Sequence, residues 1–143
     1  MNRFQRLVDL RQIKEEVAAA GLSKAIGLMD QIQKTIRELD QETESARQTA
    51  QNNFGPQEDR LPPEMVENFI KGQKWRREKL LAALEQAKKE RAVAQEQWKA
   101  ARVALKQSEK LAEIDDKRRL LAERKQEALE MDMAGILRHQ RNA

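Results

Sequence analysis

Asn52-Asn53-Phe54-Gly55-Pro56-Gln57-Glu58-Asp59-Arg60-Leu61-Pro62-Pro63 decides the fold, because all three prolines of the chain lie in it. Proline has no amide donor and clashes with the preceding turn inside a helix. Glycine is the residue type that ends helices in a left-handed turn. Pro63 suits a first helical turn, where a missing amide costs nothing. The stretch therefore reads as a loop, about 54–63, between two long helices, about 4–53 and about 64–139.

On the amino-terminal side, Leu22, Met29, Ile36, Thr43 and Ala50 form one row at seven-residue intervals. Ala25, Ile32, Leu39, Ala46 and Asn53 form a second, giving the 3-4 spacing of a coiled-coil seam. Upstream, Leu7, Leu10, Val17 and Ala20 read as continuing that stripe, widened by Val8 and Ile13. Gly21 and Gly27 each cost about 1 kcal/mol relative to Ala in a helix interior. They suggest a bend or a close approach of the partner helix.

On the carboxyl-terminal side, Leu84, Arg91, Trp98, Leu105 and Ala112 form one row, and Leu80, Ala87, Ala94, Ala101 and Ser108 the other. The apolar pattern then suggests a register slip to Leu111, Ile114, Arg118, Leu121, Lys125 and Ala128, which would alter the local winding. The expected lengths, about 75 Å and about 115 Å at 1.5 Å per residue, are unequal. A short loop makes the helices antiparallel. The fold class is thus all-α: an antiparallel two-helix coiled-coil hairpin, a single domain over 1–143, whose C-terminal helix overhangs from about Glu113. An overhang with Ile114, Leu120, Leu121, Leu129, Met131, Met133, Ile136 and Leu137 exposes an apolar stripe, and such surfaces mark interaction sites. The alanine-rich middle, read as Ala87, Ala94 and Ala101 facing Ala46 and Ala50, buries little. Marginal stability is expected, with stabilisation on binding.

Composition agrees. Of the 143 residues, 36% are charged and 3% aromatic, too few bulky groups for a spherical core but enough for a narrow seam. Both charge signs are interspersed, with a net charge of only +4, and the helical periodicity argues against disorder. The absence of Cys excludes disulfides and thiolate metal sites. The opening residues lack the apolar core of a signal peptide, and no apolar run is long enough to span a bilayer.

Chemistry is sparse. The single histidine, His139, has no second imidazole or thiolate to complete a metal site, and the carboxylates alternate with Lys and Arg as on solvated helix faces. No catalytic residue, cofactor or metal is expected. Trp98 falls on the seam. Trp75 falls off it, beside Lys71, Lys74, Arg76, Arg77 and Lys79, where it reads either as a protein-binding anchor or as a staple for the hairpin tip. Nucleic-acid binding is not favoured, since the positive charge is mixed with Glu and Asp.

The opening Met1-Asn2-Arg3-Phe4-Gln5-Arg6-Leu7-Val8-Asp9-Leu10-Arg11, followed by Glu15-Glu16, resembles the start of the FliJ family. Lys117-Arg118-Arg119, Glu123-Arg124-Lys125 and Glu130-Met131-Asp132 resemble its end. The injectisome relatives of the YscO type share the pattern. The resemblance implies a stalk and chaperone of the bacterial flagellar type III export apparatus, cytoplasmic and held at the cytoplasmic face of the inner membrane through that apparatus. It implies a hexameric FliI-like export ATPase, a FlhA-like export gate and export chaperones as partners. Carried onto this sequence, ATPase contact would fall to Leu7, Leu10 and Arg11 beside Met131, Met133, Ile136 and Leu137. Gate contact would centre on Phe69, with Gln73, Trp75, Arg76 and Leu80. A YscO-like injectisome stalk and a generic homodimeric coiled-coil adaptor are the alternative readings.

Overall fold

The computed structural model describes residues 2–52 and 62–142. The expected loop positions 54–61 and the helix-end position Asn53 lie outside the described residues. Among the described residues, two α-helices, α1 (Gln5–Gln51) and α2 (Pro63–Asn142), are formed and pack antiparallel. Asn2 caps α1. Its Oδ1 accepts the Phe4 amide at 2.9 Å and its carbonyl accepts the Gln5 amide at 3.1 Å, which satisfies donors that a helix start leaves open. Pro63 is the first residue of α2, and the Pro62 carbonyl receives the Met65 amide at 3.0 Å. Glu64 in the first turn of α2, and His139 and Arg141 in its last, complement the helix dipole.

Contacts divide the chain into two compact units, Met1–Ala18 with Trp98–Ala143, and Ala19–Gln97. In the second unit the seam is apolar. Met29, Ile36, Leu39 and Ala87 are its buried hydrophobic residues among those described, flanked by half-buried Leu22, Ala25, Ile32, Ala46, Val66, Ile70, Leu80 and Leu84. Thr43 fits among them because its hydroxyl donates to the Leu39 carbonyl at 2.9 Å. The Arg91 guanidinium reaches the Met29 sulfur at 3.8 Å. Ala46 lies beside Val66 and Phe69, so the expected pairing of Ala46 with the alanine-rich rows of α2 is not formed.

The first unit is held differently. Its α1 seam residues are Val8, Arg11, Glu15 and Ala18, not the expected Leu7, Leu10, Val17 and Ala20. Leu10, Ile13 and Val17 stand 49%, 57% and 67% exposed. The reason is arithmetic: α1 is unbroken, and alternating steps of four and three back from Leu22 land on Ala18, Glu15, Arg11, Val8 and Phe4. The polar residues find partners on α2. Arg11 donates to the Ala104 carbonyl at 2.8 Å, and the Trp98 indole donates to Glu15 at 3.0 Å. Asn2 donates to the Ala112 carbonyl and to Asp116, each at 2.7 Å.

The expected register slip in α2 is likewise absent. Half-buried Ala112, Asp115 and Arg119 continue the 3-4 step from Ser108, whereas Leu111 and Ile114 are 42% and 40% exposed. Asp115, 13% exposed at its side chain, lies 3.5 Å from both Arg3 and Arg119; the two guanidiniums balance its charge although Oδ2 accepts no hydrogen bond. There is no separate third helix: α2 runs on as one element, and every residue from 120 to 142 is exposed. Gly21 and Gly27 are exposed within α1, and a Cβ on either would meet no atom within 4 Å. They mark no close approach of a partner.

Gly21→Ala and Gly27→Ala should each raise stability by up to about 1 kcal/mol, visible as a higher midpoint in a circular-dichroism melt. Ile36→Ala should cost about 2 kcal/mol, whereas Leu10→Ala should stay within about 0.5 kcal/mol. A Leu10 change as costly as that at Ile36 would contradict the outward placement of Leu10.

Candidate functional site

The candidate sites are exposed surfaces that a two-helix seam leaves uncovered. The first lies in the unit built from Met1–Ala18 and Trp98–Ala143. Beyond Arg119, the same 3-4 step continues onto Ala122, Gln126, Leu129, Met133 and Ile136. These are seam positions by spacing, yet all are exposed, because the last α2 residues that α1's N-terminal segment bonds are Asp115 and Asp116. Leu129, Met133 and Ile136 are 58–63% exposed, and Met131 and Leu137 widen the apolar strip. A run of seam residues without an opposing helix is a ready surface for another protein.

The carried-over ATPase-contact residues are therefore not one cluster. Met131, Met133, Ile136 and Leu137 stand together, but Met131 lies fifteen residues past Asp116, about 22 Å along a helix. Leu7 is half-buried at the seam's edge. Arg11 is engaged with the Ala104 carbonyl. Of the three on α1, Leu10 alone offers a large exposed apolar side chain. It has neighbours that the sequence reading did not place in a binding surface: Ile13 and Val17 lie on the same outward face, opposite the seam. A strict count back from Leu22 would have shown it. Leu129, expected in the overhang's apolar stripe but not among the carried-over ATPase contacts, falls on the same count run forward from Leu105.

The second surface lies within the unit Ala19–Gln97. Phe69, 42% exposed, closes a shallow apolar groove of about 380 Å³ lined by Ala46, Thr49, Met65 and Val66. Trp75 is 57% exposed, and the Lys79 ammonium sits 4.0 Å from its ring centroid, within cation–π range. Gln73, by contrast, is 1% exposed. Its amide donates to Glu42 at 3.4 Å, and its carbonyl accepts from Arg76 at 3.2 Å. Leu80 is half-buried in the seam. The five carried-over gate residues thus divide by position: Phe69, Trp75 and Arg76 are on the surface, while Gln73 and Leu80 support them from beneath. Arg77 is fixed by Asp40 at 2.9 Å and separates the basic cluster from the seam.

No helix of the described chain is long and apolar enough to cross a membrane. Among the described residues, no group of His, Cys, Asp and Glu side chains is arranged to hold a metal ion. The full length, residues 1–143, matches the family model described as Flagellar FliJ protein. No curated protein and no solved structure gives a match.

The Trp98–Glu15 bond should be detectable as an energetic coupling. In a double-mutant cycle of Trp98→Phe and Glu15→Gln, the two changes should fall short of additivity by about 0.5–1.5 kcal/mol in unfolding free energy. Full additivity would show that the bond contributes nothing to holding the N-terminal segment on α2.

Proposed function

This chain belongs to the FliJ family, and we propose that its exposed seam continuation and its Phe69 surface are the docking faces through which it performs the family's task. FliJ proteins are stalk components of the flagellar export apparatus, linking the FliI ATPase ring to the export gate, and are not catalysts. This chain is accordingly a non-catalytic flagellar export stalk.

The overhanging part of α2, with Met131, Met133, Ile136 and Leu137 joined by Leu129, docks on the ring-forming ATPase. The outward stripe of Leu10, with Ile13 and Val17, supplies a second contact to the same partner. The observation that carries this assignment is the unbroken seam count beyond Arg119: among the described residues, side chains spaced to pack against a helix have none opposite them. A partner that covers them gains the burial of several large side chains, each contributing about 1.5–3 kcal/mol when fully removed from water. Such a gain, realised in one conformation of the ring more than in another, biases its assembly or turnover without any chemistry by the stalk.

The gate contacts Phe69, Trp75 and Arg76. Gln73 and Leu80 act indirectly, Gln73 by orienting Arg76 and Leu80 by fixing α2 in the seam. Export chaperones are partners of the same exposed surfaces. The protein acts in the cytoplasm, at the inner face of the membrane when assembled.

Met133→Glu and Ile136→Glu together should weaken association with the export ATPase at least tenfold, measured by titration calorimetry, while leaving the melting midpoint of the free chain unchanged. The unaltered chain should change the ATPase turnover rate and hydrolyse no ATP itself. If mixing alters neither association nor turnover, the assignment of this surface fails.

A further inference from the structure

The docking end of α2 is the part of that helix least able to hold itself. Among the described residues no helix opposes α2 beyond Arg119, and every residue from 120 to 142 is exposed. Helical order there depends on propagation from the seam and on the residues' own preference. That preference changes at one point. From Leu120 to Met131 every residue is Leu, Ala, Glu, Arg, Lys, Gln or Met, the strong helix formers, and Gln126 donates to Glu130 at 3.3 Å. From Asp132 to Asn142 the weaker formers Asp132, Gly135, Ile136, His139 and Asn142 are interspersed, and glycine in a helix interior costs more than any residue but proline. His139 and Arg141 complement the helix dipole, an effect confined to the last turn. Met133, Ile136 and Leu137 all lie in this weaker segment, around Gly135.

We propose that Asp132–Asn142 is only fractionally helical in the free chain, that it orders on the partner covering its apolar strip, and that Gly135 sets the fraction. This ordering rests on the docking proposed above for the strip and governs its affinity; the helix running to Asn142 is the docking form. Met133, Ile136 and Leu137, three and four residues apart, share a face only while the backbone between them is helical. A partner that needs the helical form binds with its intrinsic affinity scaled by the helical fraction, so a weak former lowers affinity without touching the partner. Gly135 is the strongest such residue. It stands two residues from both Met133 and Leu137, about 160° around the helix from each. It is exposed, and a Cβ placed on it meets no atom within 4 Å, so the described chain has room for a side chain there. The result is a releasable contact: large apolar side chains supply the attraction, and ordering the backbone offsets part of it.

The test is titration calorimetry of the full chain against the export ATPase, with Gly135→Ala, Gly135→Gln and Gly135→Pro. Alanine should tighten binding about threefold to fivefold and glutamine about twofold to threefold. Proline should weaken it by about tenfold or more. The melting midpoint should stay unchanged in every variant. In the free unaltered chain, amides 136–142 should exchange hydrogen much faster than amides 120–131. They should gain protection when the ATPase is added, and partial protection in free Gly135→Ala. Met131 lies on the Gly135 side of the helix, so the glutamine variant separates backbone order from contact: if the larger side chain weakens binding where alanine tightens it, a close contact with the partner is at work and the proposal is overturned. Equal affinity of Gly135→Ala and the unaltered chain overturns it too, as do amides 136–142 protected in the free chain as well as those at 120–131. In those cases loss of binding by the Met133→Glu and Ile136→Glu pair still supports the docking assignment. An ATPase that binds no form of the chain sinks that assignment and ordering on this partner together, and fast exchange of 136–142 in the free chain then upholds the fractional helix alone.

Discussion

Everything in this structure depends on a single periodic constraint. Two continuous helices can pack along their length only if each offers a side chain to the other at alternating steps of three and four. From Phe4 to Ala46 on α1, and from Leu80 to Arg119 on α2, that count passes without a skip. It overrides local hydrophobicity. Where a seam position holds Arg11, Glu15 or Asp115, the polar residue stays and finds a partner; where an apolar residue lies off the count, as Leu10, Ile13 and Leu111 do, it goes to solvent. Shifting a few side chains to a better face would require breaking a helix, which costs backbone hydrogen bonds on both sides of the break.

Such a seam is thin, and its two units achieve adhesion by different means. Around Met29, Ile36 and Leu39 it relies on apolar burial. Around Arg11, Trp98 and Asp115 it relies on directed polar contacts, whose net contribution is about 1 kcal/mol each. The N-terminal segment of α1 is therefore the less firmly held part of that helix. It also bears Leu10, Ile13 and Val17 on its outer side, so a partner that covers this face adds stability where the chain supplies least of its own.

Much of this was legible in the residues. The clustering of all three prolines between 56 and 63 divided the chain into two helices, with α2 beginning within a residue of its expected start. The rows from Leu22 to Ala46 and from Leu80 to Ser108 coincide with the observed seam. Hydrophobicity misled where it departed from spacing. It favoured Leu10 and Val17 over Arg11 and Glu15, and Ile114 over Asp115 beyond the correctly placed Ala112. In both places the true seam residues are small or charged, and their fitness depends on partners on the other helix, such as Trp98 for Glu15, that one-dimensional periodicity does not display. The same limit hid Gln73: a glutamine among basic residues reads as surface, and only its bonds to Glu42 and Arg76 explain its burial.

Gln73, almost wholly buried in its row of α2 and bonded across the seam to Glu42, has a mechanical implication. A seam of interchangeable Leu and Ala residues is nearly degenerate under sliding by one repeat, since every knob finds an equivalent hole. A buried amide is not interchangeable; moved by seven residues it leaves Glu42 behind and must lose its bond while remaining out of water, a penalty of about 1–3 kcal/mol. Polar groups at single seam positions are among the best-attested ways of fixing coiled-coil register. Under shear along the helix axes, Gln73 acts as a detent, so that a load applied to one helix is passed to the other instead of being dissipated as slippage.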